Sequence, residues 1–136
     1  DEFKTWKKDD YTRNCIYRSK YFELILLCWN REDITPIHNH DGQKCWVYQI
    51  EGTIDEVRYK MDDEGALSES HRLSLSEGDL SYMDDRMGYH SLENTTNGRA
   101  STLHLYTLPI EQCQYFCDEA EEFKEKELTY DSEANL

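Results

Sequence analysis

Short segments of β-prone residues, each ended by turn residues, recur along the chain and restrict its fold more than any other feature of the sequence. Glu51 and Gly52 separate two of these segments and predict a hairpin there. Each segment has the length and composition of a strand: YFELILLCW (21–29), CWVYQI (45–50), TIDEVRY (53–59), HRLSLSEGD (71–79) and ASTLHLYTL (100–108). Strands of this length and spacing favour an all-β sandwich or barrel over a parallel α/β sheet.

The length and the charge of the chain limit its partners. Its 136 residues suit a single domain spanning 1–136. The 29 acidic and 15 basic residues give a net charge of -14, so we expect no nucleic acid and no membrane surface as a partner, because phosphate groups bind basic surfaces. No apolar run approaches the roughly 18 residues that span a bilayer. The start, DEFKTWKKDD, also lacks the apolar stretch of a secretory signal.

The cysteines indicate a reducing compartment. They form an odd set without a CxxC pair: Cys15, Cys28, Cys45, Cys113 and Cys117. Small secreted domains usually carry an even and denser set that forms disulfides. We therefore expect free thiols and a cytoplasmic location, and we expect the protein to be a monomer.

The C-terminal region differs in composition from the rest of the chain. The segment DEAEEFKEKE (118–127) is dense in charge, which predicts a solvated loop or a short surface helix. The last seven residues, YDSEANL, predict a frayed end.

Four of the five histidines lie in or beside predicted strands. His38 and His40 are one residue apart, so in an extended segment their side chains share a face and can bind one ion. His90 and His104 come later, whereas His71 lies in the polar SESHR and is expected to be exposed. An HxH pair alone is weak evidence of a metal site, since nearby surface histidines are common.

Two longer patterns resemble the cupin motifs. After His40 come four residues, Cys45, six residues and Gly52, an order similar to the first cupin motif, with cysteine where most cupins have a glutamate ligand. The segment GDLSYMDDRMGYHSLEN (78–94) resembles the second motif, although Asp84 replaces the usual proline and the spacing from glycine to histidine is one residue longer. Together with YTRN (11–14) and LHLY (103–106), these motifs resemble the cysteine dioxygenase family over about residues 11–113.

This resemblance implies an all-β fold and a metal site. The fold is a small, jelly-roll-like cupin β-barrel with short helical or irregular termini, and the helical N-terminal segment of the family is expected to be mostly absent. The family implies Fe(2+) bound by His38, His40 and His90. Three neutral imidazoles leave open coordination positions, as in other non-haem iron sites. The alternative is a three-histidine zinc site that produces a hydroxide nucleophile, and zinc does no redox chemistry.

The resemblance also implies roles for residues around the metal. Arg13 matches an arginine that binds the substrate carboxylate, for which a guanidinium is well shaped, and Tyr11 shares its face. Thr102, His104 and Tyr106 share one strand face. The family implies that His104 hydrogen-bonds the Tyr106 hydroxyl.

Cys45 has three possible roles from its residue type alone: metal ligand, nucleophile or neither. The family implies the last, with a thioether bond between Cys45 and Tyr106. Trp29 matches a family tryptophan near the site, although burial alone also explains it.

The implied activity is the oxidation of L-cysteine by O2 to cysteine sulfinate, a step of cysteine catabolism. Arg13 favours cysteine over 3-mercaptopropionate, because related enzymes for other thiols lack it at the matching position. Two alternatives stay open: a dioxygenase of another small thiol, such as 3-mercaptopropionate or cysteamine, and a non-catalytic cupin that binds a metal or a small ligand.

Overall fold

The computed structural model describes residues 1–134, which are mainly β. In chain order, the elements of this part of the chain are β1 (Thr12–Arg18), β2 (Glu23–Trp29), β3 (Lys44–Glu51), β4 (Ile54–Met61), β5 (Leu67–Leu75), β6 (Leu80–Met83), a 3-10 helix (Asp85–Met87), β7 (Tyr89–Asn94), β8 (Ala100–Thr107), β9 (Gln112–Cys117), β10 (Glu122–Glu127) and β11 (Ser132–Glu133).

The strands form two main sheets and a hairpin. One sheet has six strands in the order β11-β1-β2-β8-β3-β6, the other has the order β5-β4-β7, and β9 pairs with β10. Ile25 and Val47 of the larger sheet and Ile54 and Leu92 of the smaller one belong to the same core cluster, so the inner faces of the two sheets share one core. The all-β expectation is confirmed.

The inner face of β8 is polar, as its alternating sequence predicts. Thr102, His104 and Tyr106 are buried, whereas Leu103 and Leu105 are half-buried on the other face. Polar side chains inside a barrel require hydrogen-bond partners or a ligand, because a buried polar group without a partner costs free energy. This face supplies part of the site described below.

The predicted hairpin at Glu51 and Gly52 is wrong. β3 pairs with β6 and β8, whereas β4 pairs with β5 and β7, so the turn carries the chain from one sheet to the other. Gly52 has a φ of 75°, and a Cβ there would lie 2.8 Å from the Cβ of Ala100. The glycine therefore marks a change of direction under tight packing. Turn residues reveal such a change but do not specify which strands pair.

Within the charge-dense segment, residues 118–121 form a turn, as a solvated loop would, but the rest is neither the predicted loop nor a helix. Residues 122–127 form β10, which pairs along its length with β9. Phe123 faces Tyr89 of β7 and Phe116 of β9, with ring centroids 4.7 Å and 5.4 Å away. The contact with Tyr89 packs the hairpin against the smaller sheet. The flanking charged side chains stay exposed, so their density does not oppose a strand.

The termini are irregular or extended, and the helical alternative is wrong for both within residues 1–134. Near the C-terminus, Ser132 and Glu133 pair in parallel with β1, so the predicted fraying does not hold there. Asn135 and Leu136, at the end of that predicted segment, lie outside the described residues. No helix within residues 1–134 is long and apolar enough to cross a membrane.

Candidate metal centre

Three histidines from distant parts of the sequence converge between the two sheets. His38 and His90 are paired backbone to backbone, with N–O distances of 2.9 Å and 3.0 Å, and this bridge fixes the HxH segment against β7. The ring centroid of His90 lies 4.7 Å from that of His38 and 4.6 Å from that of His40. One potential ligand atom from each residue lies within 4.8 Å of the others, which suits a single shared ion.

A buried carboxylate fixes the ring of His90. Nδ1 of His90 lies 2.6 Å from Oε2 of Glu56, whose side chain is 0% exposed. The hydroxyl of Ser81 donates to Oε1 of Glu56 over 2.7 Å, and the guanidinium of Arg58 lies 3.3 Å from the same oxygen. Burial raises the pKa of Glu56, but the hydrogen bonds from His90 and Ser81 and the charges of His90 and Arg58 outweigh it and lower the pKa to about 2.

Glu56 was not identified from the sequence, although a signal was present. In β4, Glu56 shares the inner face with Ile54, a core residue, so a buried carboxylate occupies a place that suits an apolar residue. Buried carboxylates need a partner. The partner here is His90, 34 residues further along the chain.

The HxH segment is held by two backbone contacts. Nδ1 of His38 lies 2.8 Å from the carbonyl oxygen of Pro36. The carboxylate of Asp85 accepts the backbone N–H groups of His40 and Gly42 over 2.9 Å and 2.6 Å. Asp85, next to the Asp84 that replaces the usual proline, therefore anchors the loop that carries His40.

The histidine group offers free ligand atoms for a metal, and two of its rings are neutral. Burial lowers the pKa of His38 to about 3 and that of His40 well below its ordinary value, so both rings are neutral at pH 7. Neutral imidazole is the form that binds metals. Nε2 of His90 and Nδ1 of His40 are buried without a hydrogen-bond partner, which an ion at this point would relieve. The residues therefore fit a divalent transition metal, and three imidazoles suit iron as well as zinc.

A small cavity of about 50 Å³ opens beside the histidines. Each ordered water needs about 10–15 Å³ of such volume, so only a small ligand fits without rearrangement. The wall consists of Tyr11, Arg13, Leu27, Thr35, Pro36, His38, Asn39, His40, His90, Leu92, His104, Tyr106, Ile110, Cys113, Tyr115, Lys126 and Leu128.

Arg13 and Tyr11 both reach this cavity, as their spacing predicts. One guanidinium nitrogen of Arg13, Nη1, donates to the carbonyl oxygen of Thr129 over 2.6 Å, whereas the other, Nη2, is buried without a partner. Burial raises the pKa of Tyr11 to about 12, so its hydroxyl keeps its proton and can donate. An orphaned guanidinium group facing a small cavity is a donor in need of an anion.

The inner face of β8 presents a chain of hydrogen bonds. The indole N–H of Trp29 donates to the Thr102 hydroxyl over 2.9 Å, and that hydroxyl lies 2.7 Å from Nε2 of His104. The expected bond between His104 and the Tyr106 hydroxyl is not among those of residues 1–134, and the two ring centroids are 6.2 Å apart. Thr102 takes that place because its hydroxyl lies on the same strand face two residues away.

Cys45 lies opposite Tyr106 in the register of β3 and β8. Directly opposed side chains in an antiparallel pair have Cβ atoms about 4.5–5.5 Å apart, close enough to touch. The thiol is 0% exposed, and burial raises its pKa well above the ordinary range, an effect that the Tyr106 hydroxyl only partly offsets. Among residues 1–134, potential ligand atoms come together in the group of His38, His40 and His90, and Cys45 does not belong to this group.

Comparison with known families settles the relationship that the motifs suggest. A family profile described as cysteine dioxygenase type I matches residues 1–119. The chain belongs to the cysteine dioxygenase type I family. Cysteine dioxygenase type 1 of Homo sapiens and that of Bos taurus are each 31% identical to it over 111 residues, which cover 78% of this chain and 55% of the relative. The chain thus spans little more than half the length of these cysteine dioxygenases.

Solved structures confirm the cupin fold of this cysteine dioxygenase family member. A protein with a double-stranded beta-helix domain from Klebsiella pneumoniae aligns with a TM-score of 0.64 at 11% identity, covering 79% of this chain and 80% of that one. An RmlC-like cupin protein from Desulfovibrio desulfuricans aligns with a TM-score of 0.61 at 15% identity, covering 80% and 92%. At these identities the likeness concerns the fold alone.

Proposed function

We propose that this chain is an iron-dependent thiol dioxygenase that converts L-cysteine and O2 to cysteine sulfinate. The observation that carries the proposal is one small cavity that joins three imidazoles to an arginine with an unpartnered donor. The imidazoles suit a redox metal, and the arginine suits the carboxylate of an amino acid. Membership of the cysteine dioxygenase type I family agrees with both.

His38, His40 and His90 are the residues that would hold the iron. Fe(2+) at this position would supply the redox chemistry and the positive charge that stabilises a substrate thiolate. The reaction adds both atoms of O2 to the substrate sulfur, which rises two steps on the oxidation ladder to the sulfinate. No other oxidant or reductant is needed, because O2 gains the four electrons that sulfur loses.

Arg13 and Tyr11 bind and orient the substrate in this proposal. Nη2 of Arg13, which has no partner in the protein, donates to the substrate carboxylate, while the bond from Nη1 to the carbonyl oxygen of Thr129 fixes the side chain. Tyr11 adds a neutral hydroxyl donor on the same wall. Fixing the carboxylate sets where the thiol lies, and this positioning lowers the entropy that the reaction must lose at its barrier.

Tyr106 and His104 keep the reacting region dry and ordered. Both are buried, and burial holds the pKa of Tyr106 above and that of His104 below the ordinary value, so both are neutral at pH 7. The bond to Thr102 orients the His104 ring. Tyr106 offers a phenol hydroxyl that keeps its proton beside the site where oxygen meets sulfur.

We further propose a thioether bond between Sγ of Cys45 and a carbon of the Tyr106 ring next to its hydroxyl. Their opposition in the β3–β8 register supports it. The bond replaces one S–H and one C–H bond, and O2 takes up the two hydrogen atoms and their electrons. The linkage restricts the phenol to one orientation, which favours a productive geometry.

The location and the assembly state are proposals as well. All five cysteines within residues 1–134 are free thiols, which supports a reducing compartment such as the cytoplasm. We propose a monomer, which sedimentation measurements test directly.

A comparison of substrates tests the proposed activity. Protein loaded with Fe(2+) without air is mixed with oxygenated buffer and L-cysteine, 3-mercaptopropionate or cysteamine, and oxygen uptake is followed together with product by mass spectrometry. We expect the fastest turnover with cysteine and a sulfinate product. Faster turnover of 3-mercaptopropionate would assign the enzyme to another thiol, and bound iron without oxygen uptake with any of the three thiols would favour the non-catalytic alternative.

A further inference from the structure

The cavity wall differs in charge from the rest of the chain. The sequence has 29 acidic residues and a net charge of -14. The cavity wall, within the described part of the chain, contains no carboxylate and two cationic side chains, Arg13 and Lys126. A cleft lined by charges of one sign concentrates ligands of the opposite sign and raises their rate of entry.

Lys126 owes its place in the wall to the β9–β10 hairpin. It pairs with Cys113 across the hairpin, and both residues line the cavity. Glu125 and Glu127, its neighbours in β10, alternate to the opposite face. Leu128, two residues after Lys126, also lines the cavity.

The charge of Lys126 is not neutralised by a neighbouring carboxylate. Lys4 and Lys7 form salt bridges with acidic residues, but no salt bridge reaches Lys126 among residues 1–134. The guanidinium of Arg13 likewise donates to the backbone oxygen of Thr129 and lies over the ring of Tyr130. No carboxylate within residues 1–134 bonds this guanidinium. Within residues 1–134, no carboxylate side chain therefore forms an ion pair with either cation.

The thiol of Cys113 responds to both cations. Burial and, to a smaller extent, the charge of Asp41 raise its pKa, while the charges of Lys126 and Arg13, in that order, act in the opposite direction. The field of each cation thus reaches a group in the cavity wall, which agrees with the geometry of the hairpin.

We propose that Lys126 is a specificity-determining residue that, together with Arg13, makes the cavity an electrostatic filter for small thiols. The filter favours thiols that carry a carboxylate and rejects thiols whose only charge is an ammonium group. This inference rests on the proposed function and adds to it a basis for the choice of substrate. Arg13 binds the carboxylate by direct contact, whereas Lys126 at the exposed end of the wall acts on the net charge of the entering molecule.

The net charge of the substrate provides the test. At pH 7, 3-mercaptopropionate is an anion, cysteine a zwitterion and cysteamine a cation. In Lys126→Ala, we expect the ratio of kcat/KM for 3-mercaptopropionate to kcat/KM for cysteamine to fall about tenfold at low salt, the lower end of the range for steering by clefts of one charge. Cysteine should change least. At about 1 M salt, where the screening length is about 3 Å, the difference between the variant and the parent should disappear.

Two further variants separate charge from shape. Lys126→Arg keeps the charge and should retain the parent ratio, whereas Lys126→Glu should lower it further. Lys124→Ala is the matched control, because Lys124 lies on the same strand and face but does not line the cavity, and its ratio should stay unchanged. The proposal is overturned if Lys126→Ala loses kcat/KM equally for all three thiols, or if its ratio of kcat/KM for 3-mercaptopropionate to that for cysteamine equals the parent ratio at low salt.

A binding measurement keeps this inference distinct from the proposed activity. Calorimetry with Zn(2+)-loaded protein, which cannot oxidise thiols, gives the affinities for 3-mercaptopropionate and cysteamine directly. If the ratio of these two affinities differs between the parent and Lys126→Ala, the filter is supported even if no thiol is oxidised by the iron-loaded protein. Equal ratios in the parent and in Lys126→Ala overturn the filter even if cysteine is oxidised.

Discussion

Replacing Glu56 tests how the ring of His90 is held. Nδ1 of His90 donates to the Glu56 carboxylate over 2.6 Å, so the lone pair lies on Nε2, the atom left without a partner. Loss of such a carboxylate partner typically weakens metal binding about 10–100-fold. This corresponds to about 1.4–2.7 kcal/mol. We therefore expect Glu56→Ala to reduce the affinity for Co(2+) or Fe(2+) by that factor.

The substitution also affects folding, which has to be measured separately. Ser81 loses the acceptor that lies 2.7 Å away, and Arg58 loses a contact of 3.3 Å. A buried donor without a partner costs about 1–3 kcal/mol. Glu56→Gln keeps the shape and one carbonyl acceptor for His90, so we expect it to be better folded and to lose less metal affinity than Glu56→Ala.

The assay is a competition titration against a coloured chelator without air, with circular dichroism to follow thermal unfolding. Asp55→Asn is the control, because Asp55 lies on the same strand and bonds the hydroxyl of Ser74 instead of a histidine. Its metal affinity should equal that of the parent. A folded Glu56→Ala protein that binds metal as tightly as the parent would show that His90 does not depend on this carboxylate.

Three further predictions follow from the cavity wall. In steady-state kinetics, Arg13→Ala should raise KM for cysteine about tenfold or more and leave KM for cysteamine unchanged. Arg13→Lys should recover only part of the loss, because a point charge lacks the guanidinium fork. Unchanged cysteine kinetics in Arg13→Ala would remove Arg13 from the site. After aerobic incubation with Fe(2+) and cysteine, peptide mass spectrometry should find a fraction of Cys45 linked to Tyr106, and Cys45→Ser should retain iron. In the metal-free protein, the pKa of His38 and that of His104 are lowered from 6.5 to about 3, so the unfolded state binds more protons between these values and stability should fall as the pH decreases from about 6.5 to about 3. Thermal unfolding measured across this range checks the last point, and a constant melting temperature would contradict it.

The sequence predicted the parts of the fold and the site that depend on local pattern. The alternation in TLHLY gave both the strand β8 and the side chains that face inward from it. The spacing of His38 and His40 predicted a shared face, which the structure has. Arg13 and Tyr11 reach the cavity because they are two residues apart in an extended segment. In each case a period of two residues was enough.

The features that the sequence did not reveal depend on pairing between distant segments. Gly52 marks a change of direction, but only the pairing of β3 with β8 and of β4 with β7 shows that the turn joins two sheets. The pairing of Glu56 with His90 is likewise visible only when β4 lies beside β7. Lys126 enters the cavity wall because β10 folds back on β9, and its charge-dense surroundings suggested a solvated segment instead.

Dependence of oxygen uptake on one iron at the three histidines is the most direct test of the central claim. Protein prepared without metal is titrated with Fe(2+) in the absence of air, then mixed with L-cysteine and isotopically labelled O2. The account predicts that activity reaches its maximum at one iron per chain, that both oxygen atoms of the sulfinate carry the label, and that His90→Ala, folded by circular dichroism, shows neither iron binding nor uptake. Full activity in His90→Ala, or a sulfinate with label in only one oxygen atom, would contradict it.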